Sequence, residues 1–198
     1  MKIRIATASM VGLMTFWAPL QAHRIEGLLQ SSLVEVLPSG VGVEVTLVLG
    51  IDIAPKIVSR IDSNGDGVFS DAESKAWSSV FLTEQSVTME GHPLTLKLDS
   101  VKTSPLAEMT GGHGEIVVHF HCDFDRVVSH PCVLVCANRY EPILCTYQVN
   151  GLVPKSPGVR ITSHRRDKRE KEITLVAELS ESSASAAQRP PATTRPAH

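Results

Sequence analysis

Residues 41–51 read VGVEVTLVLGI, and this stretch decides the fold. Its apolar side chains recur at every second residue, while Gly42, Glu44 and Thr46 occupy positions between them. Because successive side chains of a β-strand point to opposite faces, this period of two predicts a strand with one buried face. The predicted buried face consists of Val41, Val43, Val45, Leu47, Leu49 and Ile51.

The same alternation recurs at three other places in the chain. It is present in Leu94-Leu96-Leu98, in Ile116-Val118-Phe120-Cys122 and in Ile173-Leu175-Ala177-Leu179. Turn-forming Gly and Pro residues separate these segments, and the mixed-sign charge run 165–172 is typical of an exposed hairpin tip. Several short strands at this spacing predict a mainly β fold, an antiparallel β-sandwich of Greek-key or immunoglobulin-like type.

One segment, at about residues 54–82, departs from the strand period. From Pro55 to Ile61, and again from Asp71 to about Leu82, the apolar residues follow helical spacing. Val58 and Ile61 define the predicted apolar face of the first helix, and Trp77, Val80 and Phe81 that of the second. The sequence therefore predicts a helix–loop–helix inserted after the second strand.

The loop between the two predicted helices is rich in oxygen ligands. Residues 62–73 read DSNGDGVFSDAE. Ca²⁺ is a hard ion that takes six to eight oxygen ligands, and alternate side chains of such a loop can point inward together. Gly67 permits the sharp bend after Asp66, and Phe69 falls where an apolar residue anchors the loop. The predicted metal ligands are Asp62, Asn64, Asp66, the backbone carbonyl of Val68, Ser70 and Glu73.

This segment resembles the EF-hand family over about thirty residues from Ala54 to Leu82, and every ligand position matches. The resemblance implies that Ca²⁺ is the bound ion, with Glu73 as a bidentate ligand. EF-hands normally occur in pairs, whereas this chain has one, so either the β-domain or a second chain supports the loop. Three acidic ligands in an exported protein predict weak affinity, on the order of 10⁻⁴ M, which suits a structural role rather than signalling.

The N-terminus has the pattern of a secretory signal peptide. Lys2 and Arg4 precede an apolar run that ends before Ala22, and we expect cleavage after Ala22. The predicted organisation is a signal peptide at 1–22, one domain at 23–179 and a disordered Ser/Ala/Pro/Thr tail at 180–198. The mature protein is then periplasmic or secreted, with no membrane span.

Charge and motif content exclude several functions. The formal net charge is −2, and it becomes −4 after removal of Lys2 and Arg4, so binding to nucleic acid has no electrostatic basis. The sequence has no nucleophile elbow, phosphate-binding glycine loop or HExxH motif. We therefore expect a protein that is not an enzyme.

The four cysteines all lie between residues 122 and 145. An even number in an exported chain favours disulfide bonds. Cys132 and Cys136 are too far apart along a strand to pair with each other, about 13 Å. Two pairings stay open: Cys122–Cys132 with Cys136–Cys145, or Cys122–Cys136 with Cys132–Cys145. The alternative is that some of the four are free cysteines buried as small apolar residues.

The whole layout is similar to a group of small bacterial exported proteins. The shared features are a signal peptide, a mature chain that starts near a His, an EF-hand after the second strand, and the stretch Asn150-Gly151-Leu152-Val153-Pro154. Some members of this group are associated with HupE/UreJ-type nickel or cobalt permeases. The resemblance implies an envelope or transporter-accessory role and no established activity.

Three histidines suggest an alternative to calcium binding. Cleavage after Ala22 leaves His23 as the N-terminal residue, whose α-amine and imidazole could chelate copper, as in copper-binding β-sandwiches. His119 and His121 alternate on the polar face of one strand and could add nitrogen ligands. The alternative function is therefore copper or nickel binding, or a copper-dependent oxidative enzyme.

Overall fold

A computed structural model of the chain describes residues 27–124 and 131–180. The predicted signal peptide, His23 and residues 181–198 of the predicted tail lie outside these ranges. In chain order the elements are β1 (Leu28–Leu37), β2 (Gly40–Leu49), α1 (Ala54–Ile61), α2 (Asp71–Thr83), β3 (Gln85–Met89), β4 (His92–Pro93), β5 (Lys97–Thr103), α3 (Leu106–Thr110), β6 (Glu115–Asp123), β7 (Cys132–Asn138), β8 (Cys145–Gly151), β9 (Val159–Arg166) and β10 (Glu172–Leu179).

The strands form two five-stranded sheets, so the prediction of a mainly β fold is confirmed. The first sheet has the order β5-β6-β2-β1-β8, and the second has the order β4-β3-β7-β10-β9. All pairings are antiparallel except that of β1 with β8, which is parallel. The expectation of a purely antiparallel arrangement is therefore wrong for this pair. The chain passes from β7 in the second sheet to β8 at the edge of the first, and no hairpin joins β8 to β1.

The alternating residues of both sheets contribute to one hydrophobic core. In β2 the alternating residues Val41, Val43, Val45, Leu47 and Leu49 are at most 7% exposed, as their spacing predicts. Ile51 is half-buried in the turn after β2, so the strand is one repeat shorter than expected. In β10, Ile173, Leu175 and Ala177 are equally well buried.

The segment from Leu94 to Leu98 has the predicted burial pattern but only part of the predicted strand. Leu94 is buried, and Leu96 and Leu98 are partly buried against the core. Strand β5 nevertheless begins only at Lys97, where its pairing with β6 starts, whereas the Leu94 N–H donates to the Val87 carbonyl of β3 at 2.9 Å. The alternating pattern of burial therefore begins several residues before the hydrogen-bonded part of the strand.

The two helices α1 and α2 lie between β2 and β3, where the helical spacing predicts them. Their buried faces differ in detail from the expectation. On α1 the buried residues are Ala54, Ile57 and Ile61, with Val58 only partly buried. On α2, Trp77 and Phe81 are buried, but Val80 is 66% exposed, because Ser74 and Ser78 occupy the remaining buried positions. No helix within the described ranges is long and apolar enough to cross a bilayer.

A cluster of buried amide side chains joins the two sheets. Gln30 of β1, Gln85 of β3 and Asn138 of β7 are 0%, 8% and 4% exposed. The Asn138 amide donates to Gln30 Oε1 at 2.9 Å, and Gln85 Nε2 donates to Asn138 Oδ1 at 2.9 Å. Gln30 Nε2 donates in turn to the Tyr140 carbonyl at 2.7 Å. We call these three residues the amide cluster; its hydrogen bonds satisfy groups that are costly to bury alone.

The four cysteines lie within the described ranges, and no disulfide bond joins any two of them in the structure. Cys122 of β6 and both Cys132 and Cys136 of β7 are buried, and Cys145 at the start of β8 is partly exposed. Burial raises the pKa of the Cys136 thiol to about 12, and the neighbouring Cys122 adds to this effect. Pairing of the cysteines in the mature protein stays a prediction.

Candidate metal-binding loop

The loop begins and ends at well-defined helix termini. Asp62 caps the C-terminus of α1, with its N–H donating to the Val58 carbonyl at 2.9 Å. Ser70 caps the N-terminus of α2: its hydroxyl accepts from the Glu73 N–H at 3.2 Å, and the Glu73 carboxylate accepts from the Ser70 N–H at 3.1 Å. This reciprocal capping box satisfies two N–H groups that a helix start leaves unpaired. The conformation of the loop is therefore tied to both helices.

The Asp62 carboxylate collects the backbone of the loop around itself. Asp62 Oδ1 accepts from the N–H groups of Gly65 at 2.8 Å and Asp66 at 3.1 Å. Asp62 Oδ2 accepts from the Gly67 N–H at 3.0 Å. Three donors on one carboxylate curl residues 65–67 over the end of α1.

The side chains of Asn64 and Asp66 meet beside Asp62. Asn64 Oδ1 accepts from the Asp66 N–H at 2.8 Å, and Asn64 Nδ2 donates to Asp66 Oδ2 at 2.9 Å. Asp66 Oδ1 accepts from the Val68 N–H at 2.8 Å. Asp62, Asn64 and Asp66, three of the predicted ligands, are thus linked through one short hydrogen-bonded turn.

Two glycines make this turn possible. Gly67 has a φ of +77°, which supports the bend predicted there, and Gly65 has a φ of +73°. Residues with a Cβ rarely adopt such angles. The need for glycine at position 65 was not expected from the sequence, although an Asn-Gly dipeptide is a turn signal that could have indicated it.

Glu73 closes the loop from the other helix. Its Oε1 accepts from the backbone N–H groups of Ser63 at 2.9 Å and Asn64 at 3.3 Å, and from the Ser63 hydroxyl at 3.1 Å. Its Oε2 accepts from the Ser70 hydroxyl at 2.7 Å, besides the Ser70 N–H. A carboxylate on the first turn of α2 therefore lies against the residues that follow Asp62.

These donors stabilise the ionised form of Glu73. The hydroxyl and the N–H of Ser70, with smaller effects from Asn64 and Ser63, lower the pKa of Glu73 from 4.5 to about 2. Hydrogen bonds to a carboxylate favour its charged form, which is the form that binds a cation. Glu73 is thus ionised over the whole physiological range of pH.

The remaining predicted positions differ in exposure. The Phe69 side chain is partly buried and packs against the hydrophobic core, as expected for an anchor. The Val68 side chain, in contrast, is 65% exposed, and its predicted contribution to the site is the backbone carbonyl, since valine has no side-chain donor atom. The side chains of Asn64, Asp66 and Ser70 are also exposed, and water can exchange at their oxygens.

The donor set suits a hard cation. It comprises carboxylate, amide, hydroxyl and carbonyl oxygens, which fit Ca²⁺ better than a soft transition metal. Within residues 27–124 and 131–180, no three or more His, Cys, Asp or Glu side chains are arranged as a metal-holding group. The three loop carboxylates instead accept hydrogen bonds from backbone N–H groups and hydroxyls. Ion binding would have to replace part of these bonds, above all those of Glu73.

The alternative histidine ligands lie on the exposed face of the first sheet. His119 and His121 of β6 share that face, as predicted. His121 Nδ1 is 2.6 Å from Asp99 Oδ1 on β5, whereas His119 Nδ1 is 3.6 Å from Glu44 Oε2 on β2. The two imidazoles thus contact acids on opposite neighbouring strands. His23, the third predicted ligand, is outside the described residues.

An aromatic groove of about 440 Å³ adjoins the loop, and the sequence did not reveal it. Trp77 stacks on Phe81 with ring centroids 5.5 Å apart, and Tyr140 meets both rings edge-on. The Tyr140 hydroxyl is buried without a hydrogen-bond partner among the described residues. Burial raises the pKa of this phenol, against smaller opposing effects of the nearby Arg60 and Trp77 side chains. Because Glu73 also lines this groove, Trp77 is well placed to sense changes in the loop.

No protein-family model, curated protein or solved structure matches this chain. The resemblance to EF-hands therefore rests on the residues of the loop itself.

Proposed function

We propose that residues 62–73 bind one Ca²⁺ ion and that the protein is a non-catalytic calcium-binding protein. The observation that carries this proposal is the position of Glu73. Its carboxylate reaches from α2 to the backbone of Ser63 and Asn64, immediately after Asp62. A carboxylate there can close an oxygen shell formed by Asp62, Asn64, Asp66, the Val68 carbonyl and Ser70.

Binding should be weak because Glu73 already has partners. Calcium has to replace hydrogen bonds from Ser63, Asn64 and Ser70, two of which form part of the α2 cap. Only three acidic side chains contribute charge. We expect a dissociation constant on the order of 10⁻⁴ M, the range of extracellular modules. Such a site stabilises a structure where calcium is plentiful.

Calcium titration of the mature protein tests the proposal. Heat of binding by calorimetry and fluorescence of Trp77 are the two readouts, since Trp77 is the single tryptophan once Trp17 is removed with the signal peptide. Saturation at about a hundred times the dissociation constant should stabilise the fold by about 2.7 kcal/mol. Glu73→Gln should abolish binding, because it removes the bidentate ligand with almost no change in volume. Asp71→Asn is the matched control: it neutralises an exposed acid on the same helical turn that is not a predicted ligand.

The result that would refute the proposal is equally specific. If millimolar calcium produces neither heat nor a melting shift in the wild type, residues 62–73 are an ordinary capped turn. Equal binding by the Glu73→Gln variant would also remove Glu73 from the site. Mg²⁺ should substitute poorly, because it requires a tighter octahedral shell than this loop offers.

The fold around the loop, the location of the protein and its role are also proposals. We infer that the two sheets pack face to face as a β-sandwich of Greek-key or immunoglobulin-like type and that the helix–loop–helix is a single EF-hand supported by it. The shared core of the two sheets supports this inference. The N-terminal pattern favours export to the periplasm or medium with cleavage after Ala22, and a role accessory to an envelope or permease partner.

Transition-metal handling is the second candidate. The observation that favours it is the common face of His119 and His121, with Glu44 and Asp99 beside them. Elemental analysis of the mature protein distinguishes the candidates. Calcium alone supports the EF-hand proposal, whereas stoichiometric copper or nickel, lost on His119→Ala, supports the second.

A further inference from the structure

A cleft of about 540 Å³ opens between the edges of the two sheets, far in sequence from the calcium loop. Strand β8 ends the first sheet and β9 ends the second, so neither has a neighbour on its outer side among the described strands. Leu175 of β10, 2% exposed, lines the interior of the cleft. Apolar side chains of the core thus approach the surface where the sheets end.

The stretch from Asn150 to Pro154 forms one wall of this cleft. The Leu152 N–H donates to the Val34 carbonyl at 2.8 Å, which holds the wall against β1. At Gly151 an added Cβ would lie 3.1 Å from Leu175 Cδ2, so glycine keeps this wall close to the core. Val153 beyond it is 86% exposed. The Asn-x-Leu-Val-Pro stretch, which the calcium site does not use, therefore borders the cleft.

The opposite wall, β9, changes from apolar to basic along its length. Ile161 pairs with Ala177, whereas His164 pairs with Leu175, and a β-bulge lies between the two pairs. Directly paired residues share a face of the sheet, so the His164 side chain lies on the core-facing side. Arg166 likewise pairs with Ile173. On the side of the sheet where the core would require apolar residues, this end of β9 has an imidazole and a guanidinium group.

Basic side chains, and no acidic ones, are among the residues that line the cleft. Arg160, His164 and Arg166 line it together with apolar residues. The two arginines are each ion-paired with a glutamate outside the lining, at 2.5 Å and 3.9 Å. Arg166 bridges the two walls by donating to Asn150 Oδ1 at 2.6 Å. The imidazole of His164 forms no hydrogen bond or ion pair with any described residue. The cleft thus has a cationic end and an apolar end.

The outer edge of β9 is also unpaired. Its backbone hydrogen-bonds to β10 on one side and to no described strand on the other. An exposed edge of this kind can accept an additional strand, with backbone bonds providing affinity and alternate side chains providing specificity.

We propose that β9 and the cleft form a docking site for an extended, acidic segment of a partner protein, added as a strand to the second sheet. Its apolar side chains would cover Ile161 and Leu175, and its carboxylates would face His164 and Arg166. Charge complementarity identifies this occupant. The Arg166 guanidinium and the N–H of the His164 imidazole give specificity for carboxylates, and the free edge gives the backbone bonds.

A second copy of this chain and its own C-terminal segment fit the cleft less well, because neither brings several acidic residues to face its basic side chains. A second copy paired edge to edge would bring basic β9 strands together. Residues 181–198 follow β10, but they contain one acid, Glu181, and two arginines, Arg189 and Arg195. Neither segment offers the carboxylates that the cleft would attract.

The test uses the mature protein and a fluorescein-labelled synthetic peptide. The first half of the peptide alternates valine with threonine, and the second half alternates glutamate with threonine. A second peptide has lysine at each glutamate position. Fluorescence anisotropy should show saturable binding of the acidic peptide and at least about tenfold weaker binding of the basic one. Hydrogen exchange should slow at β9 when the acidic peptide binds.

Charge reversal on the two faces of β9 provides the matched variants. The double change His164→Glu with Arg166→Glu should weaken binding by about tenfold or more, because it places like charges in contact. Arg165→Glu alters the neighbouring residue on the outer face and should change affinity less than about threefold. Far-ultraviolet circular dichroism checks that each variant folds. Ile161→Asp, at the apolar end, is the second variant should the double change disturb β9.

Three results would overturn the proposal. They are failure of the acidic peptide to bind at millimolar concentration, equal loss of binding in the Arg165→Glu control, and absence of protection at β9. Phosphatidylglycerol vesicles form a separate arm: if they bind through His164 and Arg166 while the peptide does not, the cleft recognises anionic lipid instead. Calcium and the Glu73→Gln change should leave peptide affinity unaltered, so failure here is independent of the calcium proposal.

Discussion

The candidate metal-binding loop and the amide cluster are both networks of polar hydrogen bonds, but they are built on different scales. In the loop, every bond joins residues at most ten positions apart, and almost all of the groups are exposed. In the amide cluster, Gln30 bonds to residues more than a hundred positions away, and the groups are buried. A local, exposed network can be recognised in the sequence and contributes little stability unless an ion binds. A long-range, buried network is invisible in the sequence, and we expect the stability of the fold to depend on it.

Substitution of Asn138 should have the largest effect on stability. Asn138→Ala leaves Gln30 Oε1, Gln85 Nε2 and the Tyr140 N–H without their partner in the core. Each unsatisfied buried group costs about 1–3 kcal/mol, so we expect unfolding free energy to fall by about 3 kcal/mol or more. Urea denaturation measures this change. A loss below about 1 kcal/mol would mean that water or repacking replaces the amide.

Loss of the α2 cap should have an intermediate effect. Ser70→Ala removes the hydroxyl that accepts from the Glu73 N–H and donates to its carboxylate. Without calcium we expect a loss of about 1 kcal/mol, the usual contribution of an N-cap. The same change should raise the pKa of Glu73, because the Ser70 hydroxyl is the main cause of its low value. Thermal melts of calcium-free protein measure the loss of stability. Ser79→Ala, at an exposed position on the same helix, is the control.

The ionisation of Glu73 should make the loop sensitive to acid. Its pKa is lowered from 4.5 to about 2 in the folded protein, so its contribution to stability is complete above about pH 4.5. That contribution is lost as the pH falls through the interval between 4.5 and 2. Carbon-detected NMR of the carboxyl groups should show a late titration for Glu73. Glu73→Gln should flatten this part of the pH dependence and leave the amide cluster unchanged.

The smallest effect is expected at Asn64, the counterpart of Asn138 in the loop. Asn64→Ala removes two exposed hydrogen bonds within a turn, and we expect a change below about 0.5 kcal/mol in calcium-free protein. Calcium affinity should nevertheless fall, because one ligand oxygen is lost. Parallel urea and calcium titrations measure both. A calcium-free loss as large as that of Asn138→Ala would remove the distinction between the two networks.

Sequence alone was sufficient for features with short-range causes. Alternation in β2, β6 and β10 indicated a mainly β fold, and helical spacing placed α1 and α2 to within a few residues. The bend at Gly67 and the hydrogen bonds among Asp62, Asn64 and Asp66 follow from contacts between near neighbours. These features depend on side-chain period and turn chemistry, which a linear pattern contains.

Only the tertiary structure decided features that depend on where distant segments meet. The parallel pairing of β1 with β8 requires knowledge of how the chain crosses between sheets. The burial of Ser74 and Ser78 in place of Val80 depends on how α2 packs. The amide cluster and the cleft at β9 bring together residues separated by many strands. A sequence pattern records local geometry but not which surfaces come into contact. These features are therefore set by the tertiary structure and cannot be inferred from the pattern.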